Sequence, residues 1–179
     1  QPPHSNYNNK LVDQRKNQSI ARVRELVYMT LAYEGPDTPI YYGINNDHWE
    51  TSDEKPYVVF IHGTTWVTKL WPESYWRELC ELANQSGYEV HLPWGNNEEY
   101  DRATRIADQQ PNATVLERLS LGQMGHELAN ASTVIGVDSG LTHIAAALDI
   151  PTVAIYGATS AELTGVQGRN VKLHKSSYT

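Results

Sequence analysis

A chain of 179 residues with one cysteine cannot close a disulfide on itself, so its fold has to rest on core packing. That residue, Cys80, falls in an amphipathic helical stretch and is expected in or beside the core. No apolar run reaches the about 18 residues of a membrane span, and no signal peptide is visible. Cytoplasm fits these absences. The chain also lacks an initiator methionine and begins Gln1-Pro2-Pro3, as a fragment of something longer would. Basic residues are outnumbered 14 to 21, for a net charge of −7, and no basic run is present. That argues against nucleic acid as a partner. An anionic ligand would then need local positive charge, which draws attention to any isolated loop lysine. His4, His48, His91, His126 and His174 show no metal-ligand spacing. Neither a Ser-His-Asp nor a Cys-His arrangement is seen, and no internal repeat.

What is present is a regular alternation. Residues 1–13 are polar and read as irregular. Over 14–33 the apolar positions Ile20, Val23, Val27 and Leu31 recur at helical spacing until Gly35 and Pro36 stop the pattern. Residues 1–35 therefore read as a lead-in plus a helix, and 36–56 as a connector with a short extended piece at Ile40–Ile44. From 57 to 179 the pattern predicts strands at Tyr57–Ile61, Tyr88–Leu92, Ala113–Leu116, Thr133–Val137 and Thr152–Tyr156. Helices are predicted between them, at Glu73–Gln85, Glu98–Gln109, Leu121–Ala129 and Leu141–Asp149. Strand–helix alternation implies right-handed crossovers and a parallel α/β sheet of five or six strands with helices on both faces. Continuous apolar strands such as Val58-Val59-Phe60-Ile61 fit burial on both sides.

In such sheets ligands bind beyond the carboxyl ends of the strands. The loops leaving those ends hold the glycines, hydroxyls, tryptophans and Lys69 (His62–Trp71, Pro93–Glu99, Glu117–Ser120, Asp138–Gly140 and Gly157–Ser160). The loops at the other edge are blander. The segment Asp138-Ser139-Gly140-Leu141-Thr142-His143 opens a helix at the end of a buried strand. Unpaired helical N–H groups and the helix dipole make that a place for an anion. The plainer reading is an ordinary turn with Asp138 or Ser139 as N-cap. Each neighbour has two readings as well. Lys69 is either a solvated lysine or a point charge on a diphosphate. Thr64 and Thr65 are either turn residues or phosphate donors. Glu98 and Glu99 either favour a helix start or include the acid that accepts ribose hydroxyls. His143 either packs one turn into its helix or meets phosphate, and His62 is as readily structural as functional.

The segments His62-Gly63-Thr64-Thr65, Lys69-Leu70-Trp71-Pro72-Glu73, Leu92-Pro93-Trp94-Gly95 and Val137-Asp138-Ser139-Gly140-Leu141-Thr142-His143 carry a family likeness, joined by Ala21–Leu26 and Trp76–Leu79. From about residue 14 onward the chain resembles the C-terminal half of the bacterial lipopolysaccharide heptosyltransferases, glycosyltransferase family 9. The resemblance implies a Rossmann-like domain of the two-domain GT-B architecture. It implies a donor, ADP-L-glycero-D-manno-heptose, an acceptor, Kdo–lipid A, and inversion at the anomeric carbon with no cofactor or metal. Lys69 would contact the donor phosphates and Glu99 the ribose. Leu119 would pack on adenine, with Thr64, Thr65, Trp94 and Gly95 in the same donor site. Asp138 would lie near the heptose, and the Ser139–Leu141 backbone with Gly140 and His143 near the diphosphate. Lys69 and Asp138 are the candidate catalytic groups here, the general base being expected in an N-terminal domain. Peripheral contact with the cytoplasmic face of the inner membrane would come through that domain. The alternatives are a later heptosyltransferase and a non-catalytic nucleotide-binding module of flavodoxin-like topology.

Overall fold

Every residue of the strand Tyr57–Ile61 (β1) is buried, as a β-branched run in the middle of a parallel sheet should be. The computed structural model describes residues 19–32, 42–44, 56–157 and 159–176. After a helix at Ser19–Leu31 (α1), β1 leads through a 3-10 turn (Val67–Lys69) into α2 (Glu73–Gln85) and β2 (Glu89–Leu92). The chain continues as α3 (Asn97–Ala107), β3 (Ala113–Val115), α4 (Leu121–Ala129), β4 (Thr133–Val137) and α5 (Gly140–Ala147). It closes with β5 (Thr152–Tyr156), a single turn α6 (Ala161–Thr164) and β6 (Val171–Lys175).

All five pairings are parallel, and the six strands lie in the order β3-β2-β1-β4-β5-β6. Strand order reverses between β1 and β4, so the loops leaving those two strands diverge and open a crevice. This is the dinucleotide-binding order. The flavodoxin order places the third strand beside the first, so that alternative topology is set aside.

Two cores cover the sheet. On one face Phe60, Val90 and Leu92 pack with Trp76 and Cys80 of α2 and Ile106 of α3. On the other, Val59, Ile61 and Val134 pack with Met124 and Leu128 of α4 and Leu148 after α5. Trp76 and Cys80 are wholly enclosed. Gly136 in β4 faces Thr142 of α5 and Ile61 of β1, and a Cβ there would collide with both. The missing side chain is what lets α5 lie close against the sheet.

The differences from the sequence reading have local causes. Helix α3 begins at Asn97 because the Asn96 side chain caps it, accepting from the Glu99 N–H at 2.9 Å. It ends at Ala107, ahead of Gln109 with φ +62°, and α5 stops before Asp149 with φ +62°. Strand β6 was missed in the glycine-punctuated tail; it is an edge strand with four of its five residues exposed, so no burial pattern marks it. Helix α1 has no buried residue, and Val23, Leu26, Val27 and Leu31 are exposed on it. Its Ser19 hydroxyl donates to the Leu163 carbonyl of α6. The lead-in before residue 19 and nearly all of the 36–56 connector lie outside the described residues; 42–44 form no regular element. No helix among the described residues is long and apolar enough to cross a membrane.

Candidate functional site

Four of the five loops meet in one cavity of about 470 Å³ at the carboxyl edge of the sheet. The loop after β1 contributes Gly63, Thr64 and Thr65, and the loop after β2 with the first turn of α3 contributes Trp94, Gly95 and Glu99. Leu119 comes from the loop after β3, and Ser139, Gly140 and Leu141 from the start of α5. All of these ten except Gly63 are among the donor-binding residues expected from the sequence. Of the adjacent pair, Glu99 and not the exposed Glu98 lines the cavity, where Glu117 is a second acid.

Glu99 is set by its surroundings. Its Oε2 accepts the Gly95 N–H at 2.7 Å. Its carboxyl lies so close over Gly63 that an added Cβ would stand 2.6 Å from its Cδ. Trp94 gives its indole N–H to the Leu116 carbonyl at 2.7 Å and packs edge-on against Tyr100, which fixes the ring at the cavity wall. Opposite the acid, α5 opens without a side-chain cap. Ser139 stands at the N-cap position, but its hydroxyl meets the Thr142 hydroxyl at 3.1 Å instead of a helical N–H. Thr142, fully buried, donates on to the Val137 carbonyl at 2.7 Å and pins the turn. Neither Asp138 nor Ser139 therefore serves as the side-chain cap that the plainer reading required. The first N–H groups of α5 stay available to an anion.

Lys69, Asp138 and His143 form a second cluster outside the residues that line the cavity. The Lys69 ammonium sits 2.8 Å from Asp138 Oδ2, with the lysine 21% and the aspartate 6% exposed at the side chain. Thr159 donates to the same oxygen at 3.0 Å, and the Thr64 hydroxyl reaches the Asp138 carbonyl at 3.2 Å. His143 Nε2 lies 3.8 Å from Asp138 Oδ1, ion-pair range for a protonated ring. The lysine is thus neither solvated nor a bare point charge: its charge is matched by a nearly buried carboxylate. The cluster bridges β1 and β4 across the crevice.

Several residues here were not singled out individually from the sequence, although Pro93, Glu117 and Thr159 lie in loops assigned to this edge. Pro93, Glu117, Leu121, Met124 and Ile144 complete the cavity wall, the apolar ones looking like ordinary core positions in a linear reading. Thr159 joins from a loop twenty-one residues away. Arg102 of α3, its Nη1 3.3 Å from Glu73 Oε1, also donates from Nη2 to the Trp71 carbonyl beside the Lys69 loop. His62 is wholly buried, and neither ring nitrogen makes a well-formed hydrogen bond. Burial, and then the Arg102 guanidinium, press its pKa down to about 4, against weaker pulls from the Pro93 carbonyl and Glu73. His62 is thus a neutral, structural ring under the site.

Comparison with known proteins agrees with this fold. The model of glycosyltransferase family 9 (heptosyltransferase) matches residues 4–178. Lipopolysaccharide heptosyltransferase 1 of Pseudomonas aeruginosa is 46% identical over 153 residues, covering 85% of this chain and 43% of that protein. The Escherichia coli protein of the same name is 40% identical over 167 residues, covering 92% and 52%. Among solved structures, E. coli heptosyltransferase WaaC with ADP superposes at a TM-score of 0.80, with 39% identity, over 90% of this chain and 51% of that one. WaaC with ADP-2-deoxy-2-fluoro heptose gives 0.74 and 38% identity over 88% and 49%. The chain spans about half the length of the curated relatives it matches.

Proposed function

The chain belongs to glycosyltransferase family 9, the heptosyltransferases, and on that premise we propose that it is the donor-binding half of an enzyme that moves L-glycero-D-manno-heptose from ADP-heptose to Kdo–lipid A. The carrying observation is the cavity at the β1/β4 crevice, where one fixed carboxylate, Glu99, faces the uncapped start of α5 across apolar walls. Those parts suit a nucleoside diphosphate. Trp94, Leu119 and Met124 offer apolar surface to a base, and Glu99 can accept both ribose hydroxyls. The N–H groups of Gly140 and Leu141 face the diphosphate. Relatives solved with ADP and with a fluoro analogue of ADP-heptose support the same assignment.

The chemistry follows. An acceptor hydroxyl attacks the anomeric carbon while the bond to the β-phosphate oxygen breaks, and the centre inverts. Negative charge builds on the departing ADP. Lys69, moving off Asp138, and the α5 dipole stabilise that charge more in the transition state than in the ground state. Asp138 and His143 stand beside the position of the transferred sugar. The general base and most of the acceptor site belong to the half of the enzyme that this chain does not span, so donor binding without turnover is expected of it. In this reading residues 57–179 form the donor domain, and α1 belongs to the segment between domains. The enzyme would work peripherally at the cytoplasmic face of the inner membrane. The first-heptose step is favoured over a later one by the 46% and 40% identities to proteins named heptosyltransferase 1.

Calorimetric titration tests the reading. The chain should bind ADP, and ADP-heptose more tightly. Lys69→Ala should weaken ADP by about 1–3 kcal/mol, the range for a charge-assisted contact. No binding of ADP, or equal affinity for ADP and for a pyrimidine diphosphate, would sink it.

A further inference from the structure

Lys69 sits on the loop after β1 and Glu99 in the first turn of α3, yet the diphosphate and ribose of one nucleotide need both at a set separation. The loop after β1 is held across the crevice by two contacts to Asp138, from the Thr64 hydroxyl at 3.2 Å and the Lys69 ammonium at 2.8 Å, and the second must open for Lys69 to meet a phosphate. Trp66 is 66% and Val67 80% exposed at its tip, and its turn is closed only by short-range bonds, Lys69 N–H to Trp66 at 2.9 Å and Leu70 N–H to Val67 at 3.1 Å. An attachment that does not use the Lys69 charge comes two residues after Lys69. There the Trp71 ring meets Trp76 edge-on at 5.1 Å, and the Trp71 carbonyl accepts from Arg102 Nη2.

Arg102 lies one turn beyond Glu99 on the same helix. Its side chain is 14% exposed, and its other terminal nitrogen is 3.3 Å from Glu73 Oε1. Glu73 is gripped from the far side by Arg105, at 3.0 Å and 2.9 Å. The Nε of Arg102 is buried with no partner, so the guanidinium is given over to these two contacts. No backbone pairing joins α3 to the Lys69 loop. One planar fork spans from the helix that holds Glu99 to the loop that holds Lys69.

Resting on the donor reading above, we propose that Arg102 is a positioning residue that locks the Lys69 loop to α3, so that the phosphate-binding lysine and the ribose-binding glutamate are presented as one unit. It touches neither cavity nor ligand and acts through Lys69. Lysine at this position could not replace it, since a single ammonium cannot serve the Trp71 carbonyl and Glu73 with the same fixed geometry.

The test compares adenosine with ADP on the full chain. Arg102→Met should leave adenosine affinity within about twofold and lower ADP affinity about tenfold, so that the ADP-to-adenosine ratio moves toward that of Lys69→Ala. Arg102→Lys should recover only part of it. In a Lys69→Ala background, Arg102→Met should change ADP affinity no further, which is the signature of one residue acting through another. If Arg102→Met does not fold, Arg102→Lys and Glu73→Gln carry the same comparison. An unchanged ratio in the Arg102 variants while Lys69→Ala collapses it would overturn the proposal. So would equal losses for adenosine and ADP, or full additivity with Lys69→Ala, each of which marks a purely structural arginine. If Lys69→Ala itself leaves the ratio unchanged, the donor reading falls and takes this inference with it.

Discussion

Asp138→Asn should tighten ADP binding, although it alters a residue at the centre of the site. In this structure the Lys69 ammonium and the Asp138 carboxylate are 2.8 Å apart, with 21% and 6% of their side chains exposed. A pair sheltered to that degree falls between exposed pairs, worth under about 1 kcal/mol, and buried ones, where several are at stake. About 1–2 kcal/mol is a fair figure for drawing Lys69 away from its carboxylate. ADP has to meet that cost, and its diphosphate also approaches a negative charge. Asparagine keeps the shape and an oxygen to accept the Thr159 hydroxyl, now at 3.0 Å from the aspartate. It removes only the charge. The freed lysine should raise ADP affinity roughly 5–30-fold, leave adenosine unchanged, and lose much of the gain in high salt. Calorimetry on parent and variant, with thermal melts as a control for folding, gives the comparison. ADP affinity that is unchanged or weaker in a variant melting near the parent would refute the reasoning. Asp138 would then contact the donor directly and not compete for the lysine.

Other consequences are as direct. Gly63→Ala sets a methyl 2.6 Å from the Glu99 Cδ, and since that side chain can swing aside, the fold should hold while adenosine and ADP affinity fall together by about tenfold; retained affinity would show that Glu99 does not need its present pose. His62 has a folded pKa near 4 against an ordinary 6.5, so the unfolded chain takes the proton first. Its contribution is whole above about pH 6.5 and is lost as pH falls toward 4, by about 1.4 kcal/mol per unit and about 3 kcal/mol in all. Urea midpoints at pH 7 and pH 5 should show that loss in the parent and much less of it in His62→Gln; equal slopes would assign the acid sensitivity to other groups. Cys80 is buried, and its thiol is pushed up to about 12 by that burial. It should resist a thiol reagent at pH 8 and react once urea opens the chain; rapid stoichiometric labelling of the native protein would contradict the packing of α2.

The sheet was legible because buried parallel strands leave long β-branched runs, and Val58–Ile61 is one. Strand β6 was not, since Val171–Lys175 borders solvent and its Lys172, His174 and Lys175 follow no burial rhythm. The site was legible for a related reason. Chain order alone assigns every loop to one edge or the other, so Thr64, Trp94, Leu119 and Ser139 could be placed together before any distance was known. What chain order does not fix is which charges meet. Lys69 and Asp138 are 69 residues apart, and their contact depends on the register that sets Ile61 beside Gly136. Arg102 shows the same limit more sharply. On a helix with acids in its first turn and arginines later, it reads as one more solvated charge. Only the packing of α3 against the start of α2 turns its fork inward onto Glu73 and the Trp71 carbonyl. Gly136 runs the other way: in a linear reading it merely interrupts a strand. Its bare Cα is what admits Thr142 and brings the start of α5, with Ser139, Gly140 and Leu141, down onto the β1/β4 crevice. The proposed anion site at the start of α5 therefore depends on a residue four positions earlier, in the strand and outside the cavity lining.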